Sequence, residues 1–369
     1  MKKYLLLASA VAVLAVPAIG FSQQSAAPVA AGATADAGAT RYGAWGFDLT
    51  GMDKSVKPGD DWYRFVNGAW TDRTAIPADR SSYGAFAVLR DLSEVRMRSL
   101  ISGYSAADAA HPDRMKAAIL YSGFMDEALA EKLDAQPLVE RLAPVKAAAS
   151  KDDLARLMGA SVGGFGSSFF GVGVNDDAKN PDVYALYLRQ SGLGLGDRDL
   201  YLDAKFAPQV ARYQQYVAQL LGMAGWTDAD AAAARVVAME TQIAKAHWTR
   251  AQSRDRDKTY NPTGIAELKA QAPGFGWDAF WAAAGLGKAD RVIVAQNTAI
   301  PVIAKIFADT DLDTLKAWQA FRTTDDIAPL LSKRFVDAQF EFRAKFLNGQ
   351  PQQRERWKDR KSTRLNSSH

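Results

Sequence analysis

The sequence predicts a mainly α protein, a large multi-helix lobe carrying one small β-hairpin, and two patterns predict it. Through most of the chain apolar residues recur three and four positions apart, as in Val210, Tyr213, Val217 and Leu220. That spacing is the stripe of a helix burying one side. The period changes to two where Phe170, Val172 and Val174 alternate with small residues. A polar turn region, Asn175 to Asp182, and a β-prone run, Val183 to Leu188, follow, which together make a hairpin signal. With 369 residues and 48% apolar content, the chain can bury one large core or two ordinary ones, because domains commonly hold about 100 to 200 residues.

In chain order, Met1-Lys2-Lys3, the apolar run Tyr4 to Val16 and Pro17 to Ser22 have the charged, apolar and small-residue regions of a secretory signal peptide. Cleavage after Gly20 or after Ser22 fits this pattern. The apolar run is short for a membrane span, which needs about 20 residues, so no stable span is expected after cleavage. Residues 23–44 form an Ala/Gly/Ser-rich linker whose composition cannot bury a core, and ordered structure is expected from about Trp45. Residues 1–22 are thus read as leader, 45–360 as one folded domain and 361–369 as a non-native tail. These features imply export to the periplasm or the extracellular space.

From Pro58 to Phe86 the chain packs aromatics, turn formers and acids densely. Pro58-Gly59 makes a turn, Asp60 or Asp61 caps the helix after it, and Trp62, Phe65, Val66 and Trp70 recur at helical spacing. Asn67-Gly68 is expected to interrupt that helix, giving a short buried helix and then a loop. On pattern alone this is an aromatic core segment with a capped start. Phe86, Leu89, Leu92, Val95 and Leu100 mark the next helix, with Arg90, Arg96 and Arg98 on its other faces. Pro112 suits the first turn of another. Leu138, Leu142 and Val145, then Leu154, Leu157 and Met158 behind Asp152-Asp153, mark two shorter ones.

After the hairpin, Gly192-Leu193-Gly194-Leu195-Gly196 invites comparison with a phosphate loop, but no Gly-Lys-Ser/Thr accompanies it and a Gly-x-Gly alone is weak. Helices resume at Phe206. Gly225 ends one, Asp228 is placed to cap the next, and Val236, Met239 and Ile243 continue on a helix that also carries Glu240 and His247. Arg291 to Ala295 reads as a short strand. Leu315 and Trp318, then Ile327, Leu331, Phe335, Ala338, Phe342 and Phe346, mark the last two helices.

Charge and composition exclude several function classes. The net charge of +4 counts Lys2, Lys3, Lys361 and Arg364, and without those four it is about zero, so no basic face for nucleic acid is indicated. The absence of cysteine excludes disulfides, cysteine-ligated zinc and thiol catalysis.

Asp60-Asp61-Trp62-Tyr63, Val66-Asn67-Gly68-Ala69-Trp70, Ile76-Pro77, Tyr83-Gly84-Ala85-Phe86, the Gly-Leu-Gly-Leu loop with Asp197-Arg198-Asp199, Tyr260-Asn261-Pro262 and Arg356-Trp357-Lys358 stand in this order. In that order and spacing the chain, from about residue 45 to 360, resembles the N-terminal half of the neprilysin and endothelin-converting-enzyme family of zinc metallopeptidases. The resemblance implies a two-lobed, largely helical fold with a cavity between the lobes, of which this chain supplies most of the lid. It implies peptide substrates, zinc in the full-length enzyme, and a C-terminal catalytic half as the chain's own missing partner. Animal members hold the substrate's C-terminal carboxylate with an arginine just before the Tyr-Gly pair, a task suited to a bidentate guanidinium. Here Ser82 stands at that position and Arg80 lies two residues earlier. Arg90 matches a second family arginine near the same subsite. Arg80, Ser82 and Arg90 are therefore the candidate substrate-binding residues.

No catalytic or metal-binding residue is assigned to the chain. A zinc peptidase of this type needs His-Glu-x-x-His on a helix and a further carboxylate. The three histidines, His111, His247 and His369, do not supply it, and Glu240 and His247 stand two turns apart, roughly 10 Å by helix rise. In the family the zinc motif follows the Arg-Trp-Lys segment, and the composition changes abruptly at Lys361. The first reading is thus the substrate-enclosing half of an exported zinc metalloendopeptidase, truncated before its zinc site and inactive alone. The second is a non-catalytic helical module of the cell envelope that binds peptides or a protein.

Overall fold

Asp61 opens the first helix by physics as simple as that of a single hydrogen bond: its carboxylate accepts from the Arg64 amide at 2.8 Å, satisfying a backbone donor that the first turn leaves unpaired. The computed structural model describes residues 49–104 and 111–359. The leader, the linker, the expected start near Trp45 and the tail after residue 360 lie outside those residues. The described residues divide into two units, one ending at Thr74 and the other beginning at Ala75.

In the first unit, helix α1 runs from Trp62 to Arg73 without a break. The expected interruption at Asn67-Gly68 does not occur. Asn67 turns its side-chain amide back to the Tyr63 carbonyl at 3.2 Å, and Gly68 is buried where a Cβ would come within 2.6 Å of Asp53. The glycine serves close approach there rather than helix termination. Arg64 ties the unit together, donating to Asp53 at 3.2 Å and to both oxygens of Asp72. Trp62 and Tyr63 are exposed rather than buried.

In the second unit, α2 (Ala85–Ser102) and α3 (Pro112–Met125) come first, with Pro112 in the opening turn of α3. Then follow α4 (Glu127–Leu133), α5 (Gln136–Ala147) and α6 (Lys151–Ala160). A capping box opens α6, in which Ser150 is the cap and Asp153 answers from the third position. The hairpin is β1 (Phe170–Asp177) and β2 (Asn180–Gln190), antiparallel, with Val172 opposite Leu188. Next come α7 (Asp199–Leu202), α8 (Ala207–Met223) and α9 (Ala229–Ala246). Asp228 precedes α9 with φ 51° and makes no side-chain cap bond, so its expected capping role is replaced by a left-handed turn.

The rest consists of β3 (Pro262–Gly264), α10 (Ile265–Gln271), α11 (Trp277–Ala283), β4 (Arg291–Val294), α12 (Ala299–Asp309), α13 (Leu312–Ile327), α14 (Lys333–Gln339) with a π-helical continuation Phe340–Phe346, and α15 (Arg356–Asp359). The hairpin is half of a four-stranded sheet ordered β1-β2-β4-β3, in which β2 and β4 pair in parallel. Helices so dominate that the sheet serves as a brace. Its tip is locked by Asp177, which accepts from Tyr260 at 2.7 Å and Arg291 at 2.9 Å.

The core runs from α5 to the π-helical segment. Phe169 meets Phe307 and Trp318 edge to face at 5.4 and 4.7 Å, and Tyr216 stacks on Phe342 at 4.5 Å. Such contacts add to the transfer of apolar area from water that drives the fold.

Candidate substrate-binding face

The arm from Ala75 through α2 carries all three sequence-derived candidates, and it holds them in different states. Pro77 turns the chain so that the Arg80 amide reaches its carbonyl at 3.0 Å. Arg80 is only 8% exposed, and its guanidinium is paired with Asp91 on the second turn of α2. Tyr83 donates to the other Asp91 oxygen at 3.2 Å, and the Arg80 guanidinium lies 5.7 Å from the Tyr83 ring. An arginine already matched by a carboxylate binds a second one only by sharing or exchange, so Arg80 is engaged rather than waiting. Ser82 is exposed on the loop before α2. Arg90 is exposed on α2 without a hydrogen-bond or ion-pair partner among the described residues, about 100° around the helix from Asp91. The structure therefore joins Arg80 to Asp91 and Tyr83 and leaves Ser82 and Arg90 open to solvent.

The same arm exposes apolar surface. Phe86 is 90% exposed and Leu100 63%, while on α3 Ile119 is 64% exposed. Leu89, Met97 and Leu120 are exposed as well, and α3 has no buried residue at all. Single exposed apolar residues are ordinary, whereas a group of them along two consecutive helices marks a surface made to be covered.

The described residues do not fit a zinc ion. Among the described residues no three His, Cys, Asp or Glu side chains converge. His247 ends α9 and its Nε2–H donates to the Ser191 carbonyl at 3.0 Å, while burial pushes its pKa below the ordinary value and keeps the ring neutral. Glu240, two turns earlier, is fully buried and has both oxygens taken: Tyr201 and Tyr213 donate to one at 2.6 and 2.9 Å, and the Trp318 indole donates to the other at 2.8 Å. Burial raises its pKa, opposed by Arg322 and those three donors. Glu240 and His247 thus have separate structural partners.

Glu240 instead organises the glycine loop. Tyr201, which donates to Glu240, accepts from the Leu195 amide at 2.9 Å, and the Gly194 carbonyl accepts from Arg343 at 3.0 Å. A Cβ on Gly194 would stand 1.7 Å from the Tyr213 hydroxyl oxygen. Gly194 is required because the buried Tyr213 presses against its backbone, whereas Gly192 and Gly196 take left-handed φ of 99° and 80°. Alongside the loop Asp325 accepts from Tyr216 at 2.7 Å and forms a two-point pair with Arg343. Burial would raise the Asp325 pKa, but Arg343 outweighs it and holds the group charged. Sequence reasoning did not single out Asp325, Arg322 or Arg343, whose partners lie up to 155 residues away.

Comparisons with known proteins show the family and the fold. The profile of peptidase family M13 matches residues 58–368. Human endothelin-converting enzyme 1 is 27% identical over 308 residues, which cover 80% of this chain and 40% of that protein. Neprilysin-11 of Caenorhabditis elegans is 25% identical over 338 residues, covering 84% and 40%. The crystal structure of the Mycobacterium tuberculosis zinc metalloprotease ZMP1 in complex with an inhibitor is similar with a TM-score of 0.78 and 33% identity, over 87% of this chain and 50% of that one. The chain thus spans about two-fifths of these curated relatives and half of the ZMP1 chain.

Proposed function

This chain belongs to peptidase family M13, and from that premise we propose that it forms the N-terminal, substrate-enclosing half of an exported zinc metalloendopeptidase that hydrolyses peptides. The observation that carries the reading is a pairing of two facts. The chain is similar to half of a zinc metalloprotease, and its own described residues offer no set of zinc ligands. The zinc and the general base then belong to a C-terminal half, and the chain's share is to cover the substrate and orient it. The uncovered apolar surface of α2 and α3 supports such a division, because apolar area of this kind gains stability once a partner covers it.

On this reading Arg90, Ser82 and Arg80 line the carboxylate end of the bound peptide. Arg90 is the readiest contact, since it need surrender no existing pair, and Arg80 contributes by sharing its charge with Asp91. Comparing Arg90→Ala on free-acid and amidated peptides tests this. The free-acid substrate should lose about tenfold in kcat/KM and the amidated one little, as expected for a charge-assisted hydrogen bond. Equal losses would remove the carboxylate role.

Export rests on the pattern of residues 1–22, and no helix among the described residues is long and apolar enough to cross a membrane. Mass spectrometry of secreted protein should find a start at Phe21 or Gln23. The division of labour is tested by measuring zinc content and quenched-peptide turnover for the chain alone and for the chain co-expressed with an M13 catalytic half. Chelator-sensitive turnover only in the pair is expected. Stoichiometric zinc and turnover in the chain alone would overturn the reading, and peptide binding without any gain from the catalytic half would favour a non-catalytic envelope module.

A further inference from the structure

We infer that residues 352–358 act as a strap that fixes the position of residues 78–94, the arm bearing Arg80, Ser82 and Arg90, and that Lys358 and Arg354 are positioning residues for it. What the arm is positioned for rests on the reading above; the strap itself does not.

Contacts spaced along both segments carry the inference. The Gln352 amide donates to the Ala78 carbonyl at 3.0 Å. Lys358 stands 3.6 Å from Asp79, the residue beside Arg80. Arg354 donates to Glu94 on α2 at 3.0 Å. The Arg98 guanidinium lies 4.5 Å from the Trp357 ring centroid. The far side of the strap is fastened to α3, where Arg356 donates to the Phe124 carbonyl at 2.6 Å.

These contacts matter because α2 buries few of its residues. Its buried residues are Ala87 and Glu94, and Glu94 is the one that Arg354 holds. A buried carboxylate needs its cation, so Glu94 fixes where α2 rests against the strap. Lys358 does a separate task. Asp79 lies 4.0 Å from the Arg80 Nε, within reach of competing with Asp91 for the guanidinium. Lys358, shared between Glu355 at 3.1 Å and Asp79, draws Asp79 toward itself and so leaves Arg80 to Asp91 and Tyr83.

Hydrogen exchange measured by mass spectrometry on the full 369-residue protein tests the strap without any assay of function. Lys358→Met should raise exchange in residues 78–94 about fivefold, the loss of one charge-assisted contact, while α8 and α9 stay unchanged and Lys358→Arg behaves as wild type. Arg354→Met is combined with Glu94→Gln so that the pair is removed together, and the double variant should loosen the same residues. No change in 78–94 in either variant, or an equal rise in α8 and α9, would overturn the inference. In the pair with a catalytic half, Lys358→Met should raise KM for free-acid peptides more than for amidated ones at unchanged kcat. A total lack of turnover there would sink the peptidase reading, and the exchange result would still decide the strap.

Discussion

The helices around Glu240 and the helices α2 and α3 follow the same sequence rule and end in opposite conditions. In α8, α9 and α13 the apolar stripe is buried and the carboxylate within it is paired: Tyr213, Val217 and Leu220 are fully buried, and Glu240 has three donors. In α2 the stripe is just as regular, yet Phe86, Leu89 and Leu100 face solvent. Amphipathic spacing therefore states that a face is made to be covered, without stating what covers it. The first region is complete within this chain. The second is held by a few polar contacts and gains its cover from elsewhere in our reading.

If the Glu240 region is complete, breaking it should be costly. Glu240→Ala removes the acceptor of three buried donors and should destabilise the protein by about 4 kcal/mol, read as a shift in urea midpoint. A change within about 0.5 kcal/mol would erase the contrast with α2. Gly194→Ala should cost about 3 kcal/mol, because its methyl group would overlap the Tyr213 hydroxyl and one of the two must move.

Much of this contrast was legible in the residues and part of it was not. The hairpin announced itself by alternation, α8 by its four-three spacing, and Pro112 by its place in the opening turn of α3. Helices α10, α11 and α12 did not, since the first two span only seven residues each and α12 lies in a nearly continuous apolar run where no period shows. Gly68 resembles a breaker in sequence because its role depends on Asp53, fifteen positions back. The Glu240 shell joins Tyr201, Tyr213 and Trp318 across 117 positions, and nothing local marks it. On the candidate face the positions of Arg80, Ser82 and Arg90 could be named from sequence, but not that Arg80 is paired with Asp91 while Arg90 is open.

A milder effect is expected where α4 meets α14. Hydrogen bonds from Arg334 and then Ser332 hold the Asp134 pKa at about 2, below the ordinary 3.8. A carboxylate with a depressed pKa contributes stability above its unfolded value and loses it as pH falls through the folded one. That contribution should be intact above about pH 4 and disappear toward pH 2, and Asp134→Asn should remove this part of the acid limb. Being half exposed, the pair should be worth no more than about 1 kcal/mol near neutral pH. An unchanged acid limb in the variant would assign that loss to other carboxylates, Asp325 first.

The most direct test of the division between the two regions uses the chain's lack of cysteine, which makes any introduced thiol the only one. Phe86→Cys reports on α2, and Val302→Cys, on exposed α12 surface, serves as control. Labelling rates are measured for the chain alone and for the chain paired with an M13 catalytic half. If α2 is a face completed by that half, pairing should slow labelling of Phe86→Cys at least about tenfold and leave Val302→Cys unchanged. Equal labelling of Phe86→Cys in both states, with pairing confirmed by co-elution, would contradict it.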